Sequence, residues 1–569
     1  MHPFFTMHPG GRGRRRHWTP EQLLAELQSI SEGESDGEAE ELACELESDD
    51  ERADDGSGAV IESDSGSELE PEATTSMEET SPSMQEKARD GTIRIEQPPG
   101  RSRGRATEAN VMREPPGPTP RAKENITDPL SSLLCLLDTE MWEQILKYTQ
   151  AEADRNNADM FNATMDQLKA FVGLVYLRGI AGGKSQKLED FWSAEMGNPV
   201  FKETMSRQNF RDIMRYLRFD DKSTRAARLL EDKFAMISET FDRFVKNSTA
   251  SYTPGENITV GEQLFPTKAR CRFTQYMANK LDKCGIKFWV AADVETKYML
   301  NAHPYLGKDN SRPSGQHLSD NVVLRLMEPF LEKGRNVTTD NYFTSLPLAN
   351  TLLAHKTTIV GTMNRIRREM PPCTKAQMER FSSKVLRAGE ATLTIYQGKP
   401  RKNISLLSTM HQTVSTDNGP KKMPETVSHY NSTKYGVDVM DQMARLYSVK
   451  GGTRRWPVAV FYNILDLAAI NAHILYKQCK DVNMTRKRFI LELVKQLCAP
   501  QRMARTVASV AAPVARRRLL IETPSPPTKR KKCQVARCSG NKTSDVCESC
   551  RRLVCGKCTE PSKIICCEC

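Results

Sequence analysis

The sequence predicts a multidomain α/β protein, and three observations carry that prediction. Short β-prone runs in the middle of the chain end on aspartates, helix-like stripes flank them on both sides, and nine of the 16 cysteines crowd into residues 533–569. The length, 569 residues, leaves room for several domains at about 100–200 residues each.

The first β-prone run extends from Gly285 to Asp293 and the second from Arg335 to Ser345, with Asp340 inside it. Aspartate is depleted within strands, so each acid marks a strand end or the turn just beyond it. Two carboxylates at the ends of neighbouring strands make a platform for hard cations, which take oxygen ligands. Downstream, Asp438 and Asp441 stand three residues apart, so on a helix they share one face. Three or four converging carboxylates can hold two Mg²⁺ ions about 3.5–4 Å apart, the arrangement that drives in-line phosphoryl displacement. A single aspartate at a strand end also serves as a plain turn or cap residue.

Charge is unevenly spread. The chain carries a net +10, yet residues 31–80 hold 20 Asp and Glu against one Arg, a local charge of −19 that leaves +29 on the rest. A strongly basic body points to a polyanionic partner, nucleic acid in particular, although basic residues also simply solvate a surface. Without a run of about 18 apolar residues no membrane association is expected. The N-terminal stretch lacks an apolar core, so it does not read as a secretory signal.

In order, residues 1–124 read as a disordered acidic N-terminal region, because their apolar content is too low to offset ordering entropy. A short helix beginning at Trp18 and a basic patch at Arg101, Arg103 and Arg105 are its only features. Residues 125–256 carry apolar positions at i, i+3, i+4 spacing, as in Met141-Trp142-Glu143-Gln144-Ile145 and Leu168 to Leu177, and read as a helical bundle. Residues 257–370 switch to strands, 371–422 read as an insertion domain, and 423–447 return to the acid-bearing region. Residues 448–520 are helical again and complete the bundle, 521–532 form a basic linker, and 533–569 are the cysteine-rich module.

Short-spaced cysteine pairs in so few residues point to zinc, which takes four sulfur or nitrogen ligands in a tetrahedron. Eight ligands make two sites in a cross-brace: Cys533, Cys538, Cys555 and Cys558 on one Zn²⁺, and Cys547, Cys550, Cys566 and Cys569 on the other, with Cys567 able to replace Cys566. A segment this small cannot bury enough core to fold alone, so metal would supply the folding energy.

Several motifs in fixed order resemble the piggyBac transposase family. They are Lys297-Tyr298-Met299 and Pro304-Tyr305-Leu306-Gly307, then Asp340-Asn341-Tyr342-Phe343-Thr344-Ser345, then Tyr430-Asn431 with Gly436-Val437-Asp438 and Asp441-Gln442, then Arg454-Arg455-Trp456-Pro457. The resemblance implies an RNase H-like catalytic core interrupted by the insertion domain, and a helical domain for dimerisation and DNA binding. It places the catalytic aspartates on Asp293, Asp340 and Asp438, with Asp441 as an accessory Mg²⁺ ligand. It implies cut-and-paste transposition by a nuclear homodimer acting on double-stranded DNA: metal-dependent cleavage of transposon ends, then insertion at TTAA. The zinc module would recognise those ends. Two positions depart from the pattern: family members usually carry an acid where Gly261 stands, and a histidine where Cys558 stands.

DNA contacts are expected from Asn341, Arg365, Arg367, Arg368, Lys434, Arg454, Arg455 and Trp456. The three arginines at 365–368 are spaced for phosphates but also suit a solvated face, and Trp456 could stack on a splayed base or sit in the core. The alternative function is a domesticated DNA-binding protein of the same descent without transposition activity, and cross-braced zinc also builds ubiquitin-ligase modules. Deleting residues 31–80 should tighten non-specific DNA binding at low salt, with the gain shrinking as salt rises. Unchanged low-salt affinity in a fluorescence-anisotropy titration would show that the acidic segment does not compete for the basic surface.

Overall fold

The computed structural model describes residues 85–98, 100, 111–158, 160–183, 186–277, 280, 282–307, 317–519, 531–536, 538–547, 552–560 and 563–566. The acidic segment, the Trp18 helix, the Arg101–Arg105 patch and most of the basic linker lie outside these residues. The chain divides into two compact units, one ending at Arg502 and the other beginning at Met503.

Several helices of the first unit start where the sequence supplies caps. Asp138 accepts from the Met141 N–H (3.1 Å) and opens the helix Thr139–Arg155. Its other oxygen accepts from Arg243 (2.7 Å) and Asn247 (2.8 Å), so one carboxylate caps one helix and ties down the next. Thr164 and Gln167 form a reciprocal capping box on Met165–Ile180, which satisfies two orphan backbone donors at once. That helix is buried almost all round, and Trp456–Lys480, long and apolar enough to cross a membrane, has its apolar window wholly buried inside the fold.

Eleven strands form one sheet. They are β1 (Gln85–Lys87), β2 (Ile93–Gln97), β5 (Asn257–Pro266), β6 (Thr274–Tyr276), β7 (Cys284–Asp293), β8 (Met299–Pro304), β9 (Asn336–Thr339), β10 (Thr358–Thr362), β11 (Ser383–Ala388), β12 (Ala391–Lys399) and β13 (Lys402–Ser408). A separate two-stranded ladder pairs β3 (Gly117–Pro118) with β4 (Tyr252–Thr253). The order is β1-β2-β11-β12-β13-β10-β9-β5-β7-β6, with β8 also on β7. Only β9 pairs in parallel, with β5 on one side and β10 on the other. β5 and β7 run antiparallel from Ile258 opposite Asp293 to Pro266 opposite Gly285. β7 is buried from Phe288 to Asp293, and β5 over Ile258 to Val260 and Gln263 to Phe265, as strands covered on two sides are. One continuous core joins the bundle residues Trp142 and Phe171 to the sheet residues Phe288 and Leu393.

Three expectations are corrected here. Residues 85–97 do not belong to a disordered region: β2 pairs with β11, from Ile95 beside Arg387 to Gln97 beside Val385. Edge pairing needs backbone groups rather than apolar side chains, and charge does the rest. Lys384 bridges Glu86 (2.9 Å) and Glu96 (3.3 Å), and the buried Arg94 donates to the Glu369 carbonyl (3.4 Å). Residues 371–422 do not fold as a separate insertion: β11, β12 and β13 extend the same sheet through β13 on β10. Trp456 is no DNA contact. It is 9% exposed, stacks on Phe234 (5.5 Å, 25°) and meets Phe273 edge-on (5.0 Å). Its neighbour Arg455 donates to the carbonyls of Leu217 (2.9 Å) and Met214, at the end of the helix Arg207–Tyr216, where carbonyls lack intrahelical partners. Trp456→Ala should therefore destabilise the protein by about 3–5 kcal/mol in denaturant unfolding, the usual cost of emptying an aromatic core site. A loss below about 0.5 kcal/mol, typical of a surface change, would return Trp456 to the DNA-contact list.

Candidate active site and cysteine cluster

Sheet register decides which acids can meet. In β5, Thr259, Gly261 and Gln263 share one face, and that face looks onto the helices Glu425–Thr433 and Gly436–Leu446. Thr259 Oγ1 donates to the Thr433 carbonyl (2.6 Å), a Cβ on Gly261 would lie 3.2 Å from Val437 Cβ, and Gln263 Nε2 donates to Asp441 Oδ1 (3.1 Å). On β9 the residue beside Thr259 is Thr338, whose hydroxyl donates to Thr433 Oγ1 (2.8 Å). Two residues further along both strands, Gly261 and Asp340 stand level.

Asp340 begins the turn that leaves β9. Its Oδ1 accepts from the N–H groups of Tyr342 (3.0 Å) and Phe343 (3.4 Å). The residue reaches solvent, yet packed protein around it pushes its carboxyl above the ordinary range. The Tyr342 amide pulls it back and Glu262 pushes it up again. Asp438 is exposed on the first turn of the helix Gly436–Leu446, 3.7 Å from Lys280 Nζ, and Lys280 also donates to the Glu262 carbonyl (3.2 Å). Both acids bear on one partly buried phenol. Burial pushes Tyr430 up to about 12; its hydrogen bond with Thr362 opposes this, and Asp340, Tyr435 and Asp438 each add to it. Asp340 and Asp438 are thus brought around Tyr430.

The other two acids are not. Asp293 lies opposite Ile258, on the other face of the sheet from Gly261 and three residues back, about 10 Å along the strand. It is 1% exposed and fully committed: Oδ1 accepts from the Gly255 N–H (2.8 Å), and Oδ2 from the Thr296 N–H (2.8 Å) and hydroxyl (2.7 Å). It is a turn residue, and its place in the expected triad is corrected on that geometry. Asp441 shares the helix with Asp438 as expected, but its oxygens accept from Gln263 and from Arg445 Nε (3.1 Å).

This donor set does not fit a pair of magnesium ions. Asp340 and Asp438 are present, but the β5 position level with Asp340 and facing Val437 is a glycine. Among the described residues, the cysteines Cys533, Cys538, Cys555 and Cys558 are the group of three or more close enough to share a metal. Of the expected DNA contacts, Arg367 donates to the Tyr342 carbonyl (2.8 Å), Lys434 sits 4.6 Å from the Tyr435 ring, and Asn341 is exposed beside Asp340. Arg368 and Arg454 lie on the surface, whereas Arg365 turns onto Asn403 (2.6 Å). Sequence reasoning missed Tyr430 as a shared neighbour and Gln263 as the anchor of Asp441. It did hold the signal for Gly261, the one position where an acid was due.

The cysteine cluster places the first expected set together. Cys533, Cys538, Cys555 and Cys558 have sulfurs within 4.8 Å of one another, with Cys538 to Cys555 at 3.6 Å and Cys555 to Cys558 at 3.7 Å. A tetrahedron of Zn–S bonds about 2.3 Å long has edges of about 3.8 Å, so these spacings suit zinc. The Asn541 amide pulls the Cys555 thiol down to about 6, while the Cys538 hydrogen bond pushes Cys558 up to about 12, as in a cluster sharing its protons. Of the second set, Cys547 is buried beside Val535 and Val554. Cys550, Cys569 and the Cys566 side chain lie outside the described residues.

Comparison with known proteins agrees with this architecture. Residues 128–473, more than half of the chain, match the family described as Transposase IS4. The human PiggyBac transposable element-derived protein 2 is 22% identical over 356 residues, and the match spans 59% of this chain and 59% of that relative. The cryo-EM structure of a piggyBac transposase synaptic complex with hairpin DNA superposes with a TM-score of 0.67 at 31% identity, covering 80% of this chain and all of that one. The chain belongs to the Transposase IS4 family and, within it, to the piggyBac type.

Proposed function

We propose that this chain is a piggyBac-type DNA-binding protein, descended from a cut-and-paste transposase, that binds double-stranded transposon ends in the nucleus as a homodimer. As it stands it does not cut them. The observation that carries this reading is Gly261: it occupies the one β5 position that is level with Asp340 and faces the helix bearing Asp438. The central strand order β8-β7-β5-β9-β10, with β7 antiparallel, supports an RNase H-like core beneath that site. The solved relative named for its complex with hairpin DNA supports DNA as the partner. The spacing of the four thiols supports zinc in the C-terminal module, and that module would read the ends.

A second reading, a Mg²⁺-dependent transposase inserting at TTAA, rests on Asp340 and Asp438 remaining around Tyr430. Incubation with Mg²⁺ and labelled terminal DNA of the source element separates the two. The expected result is a shifted complex and intact strands. Cleavage by the unaltered chain that disappears in Asp340→Asn would establish the second reading instead. Restoring an acid should restore metal binding: Gly261→Asp combined with Val437→Ala, which removes the two Val437 Cγ atoms that a Cβ at 261 would meet at 3.4 Å, should raise Mn²⁺ affinity on the order of tenfold, since ligand charge count sets affinity for hard cations. Calorimetry showing no gain would mean that position 261 does not face the acids.

The zinc module gives an independent prediction. Cys533→Ser should release one zinc, because losing one of four ligands removes much of the metal's folding energy. It should also lower the preference for terminal over unrelated DNA while phosphate-driven binding persists. Zinc loss with an unchanged preference would move end recognition to the helical domain.

A further inference from the structure

We propose that Tyr342 is a stacking seat for one unpaired DNA base beside Asp340; this rests on the DNA-binding reading above. Tyr342 is 45% exposed although its surroundings are built to hold it still. Its ring lies nearly parallel to that of the buried Trp289 (5.7 Å, 14°), and Trp289 is itself wedged edge-on by Phe343 (5.3 Å) and Tyr305 (5.9 Å). The Lys287 ammonium sits 3.8 Å from the centre of the Trp289 ring, fixed by Glu262 (2.5 Å). The backbone of Tyr342 is clamped on both sides: its N–H donates to Asp340 Oδ1 (3.0 Å) and its carbonyl accepts from Arg367 (2.8 Å).

A core tyrosine would bury its ring, and a solvated one would not need this clamp. The arrangement presents a rigid aromatic surface within two residues of an acid, with a cation beside both rings, 3.8 Å from the Trp289 centroid and 5.8 Å from that of Tyr342. A second half-exposed ring, Tyr435 at 43%, stands three residues before Asp438 and carries Lys434 4.6 Å from its centre. Tyr435, Asp340 and Asp438 all bear on Tyr430, so both rings flank the acids. Exposed aromatics interleaved with cations are the chemistry of single-stranded nucleic acid, because every base has a π-face. Paired bases have theirs covered by their neighbours, so the ligand is an unpaired or splayed base.

The test uses the full zinc-loaded chain and two DNAs of one sequence, a blunt duplex and one with a short single-stranded overhang carrying 2-aminopurine. The wild type should bind the overhang more tightly and quench the probe. Tyr342→Leu should weaken overhang binding by about 5- to 150-fold, the equivalent of about 1–3 kcal/mol of base stacking, with duplex affinity unchanged. Tyr342→Phe should behave as wild type. Retained overhang preference and quenching in Tyr342→Leu would overturn the proposal alone, whereas a wild type that binds neither DNA would overturn the DNA-binding reading with it. Should Tyr342→Leu fail to fold, a 5-iodouracil overhang crosslinked to the wild type decides: the adduct should map to Tyr342, and adducts only elsewhere would refute the seat.

Discussion

The parallel pairing of β5 with β9 is the constraint on which the site depends. It sets Thr259 beside Thr338, and both hydroxyls reach Thr433 on the helix that lies across them. Because side chains alternate along a strand, that register puts Gly261 beside Asp340 and turns both toward the first turn of the helix Gly436–Leu446. The same alternation sends Asp293 to the opposite face, where Gly255 and Thr296 together donate three hydrogen bonds to its two oxygens. A slip of one residue would exchange these faces. The strand β7, buried from Phe288 to Asp293 with Val290, Ala291 and Ala292 at 0% exposure, rules that out.

The helices hold this register in place. Gln263 connects Asp441 on one helix to Asn463 on the next (3.0 Å), and Asn471 both accepts from and donates to Met299 of β8 (2.9 and 2.8 Å). The Gln263 and Asn471 amides are each bonded through both oxygen and nitrogen, which helps to specify one arrangement, while the buried Asn463 oxygen is left without a partner. The core is continuous from bundle to sheet, and Trp289, the floor under Tyr342, belongs to it.

Periodicity revealed the helices, the β-prone runs and the four clustered cysteines, because each depends on local spacing. Asp438 and Asp441 fell on one helix as their spacing required. What remained hidden depended on pairing between distant segments. The strands at 85–97 have little apolar content, and what orders them is their backbone match to β11, the Lys384 bridges and the Arg94 bond to the Glu369 carbonyl. The text from 383 to 408 looked self-contained because nothing in it shows that β13 pairs with β10. Asp293 ended a β-prone run as convincingly as Asp340 did, and sequence spacing carries no information on which face an acid takes. Trp456 and Arg455 had the composition of a DNA contact, but an aromatic ring and a guanidinium fit a core and a helix end equally well.

The central claim is that the site around Tyr430 is one carboxylate short because residue 261 is glycine. Electron paramagnetic resonance of Mn²⁺ titrated into the zinc-loaded, unaltered chain tests it most directly, with Asp340→Asn as the control. The account predicts only weak Mn²⁺ uptake that is the same in both proteins. Stoichiometric Mn²⁺ binding that Asp340→Asn abolishes would contradict it.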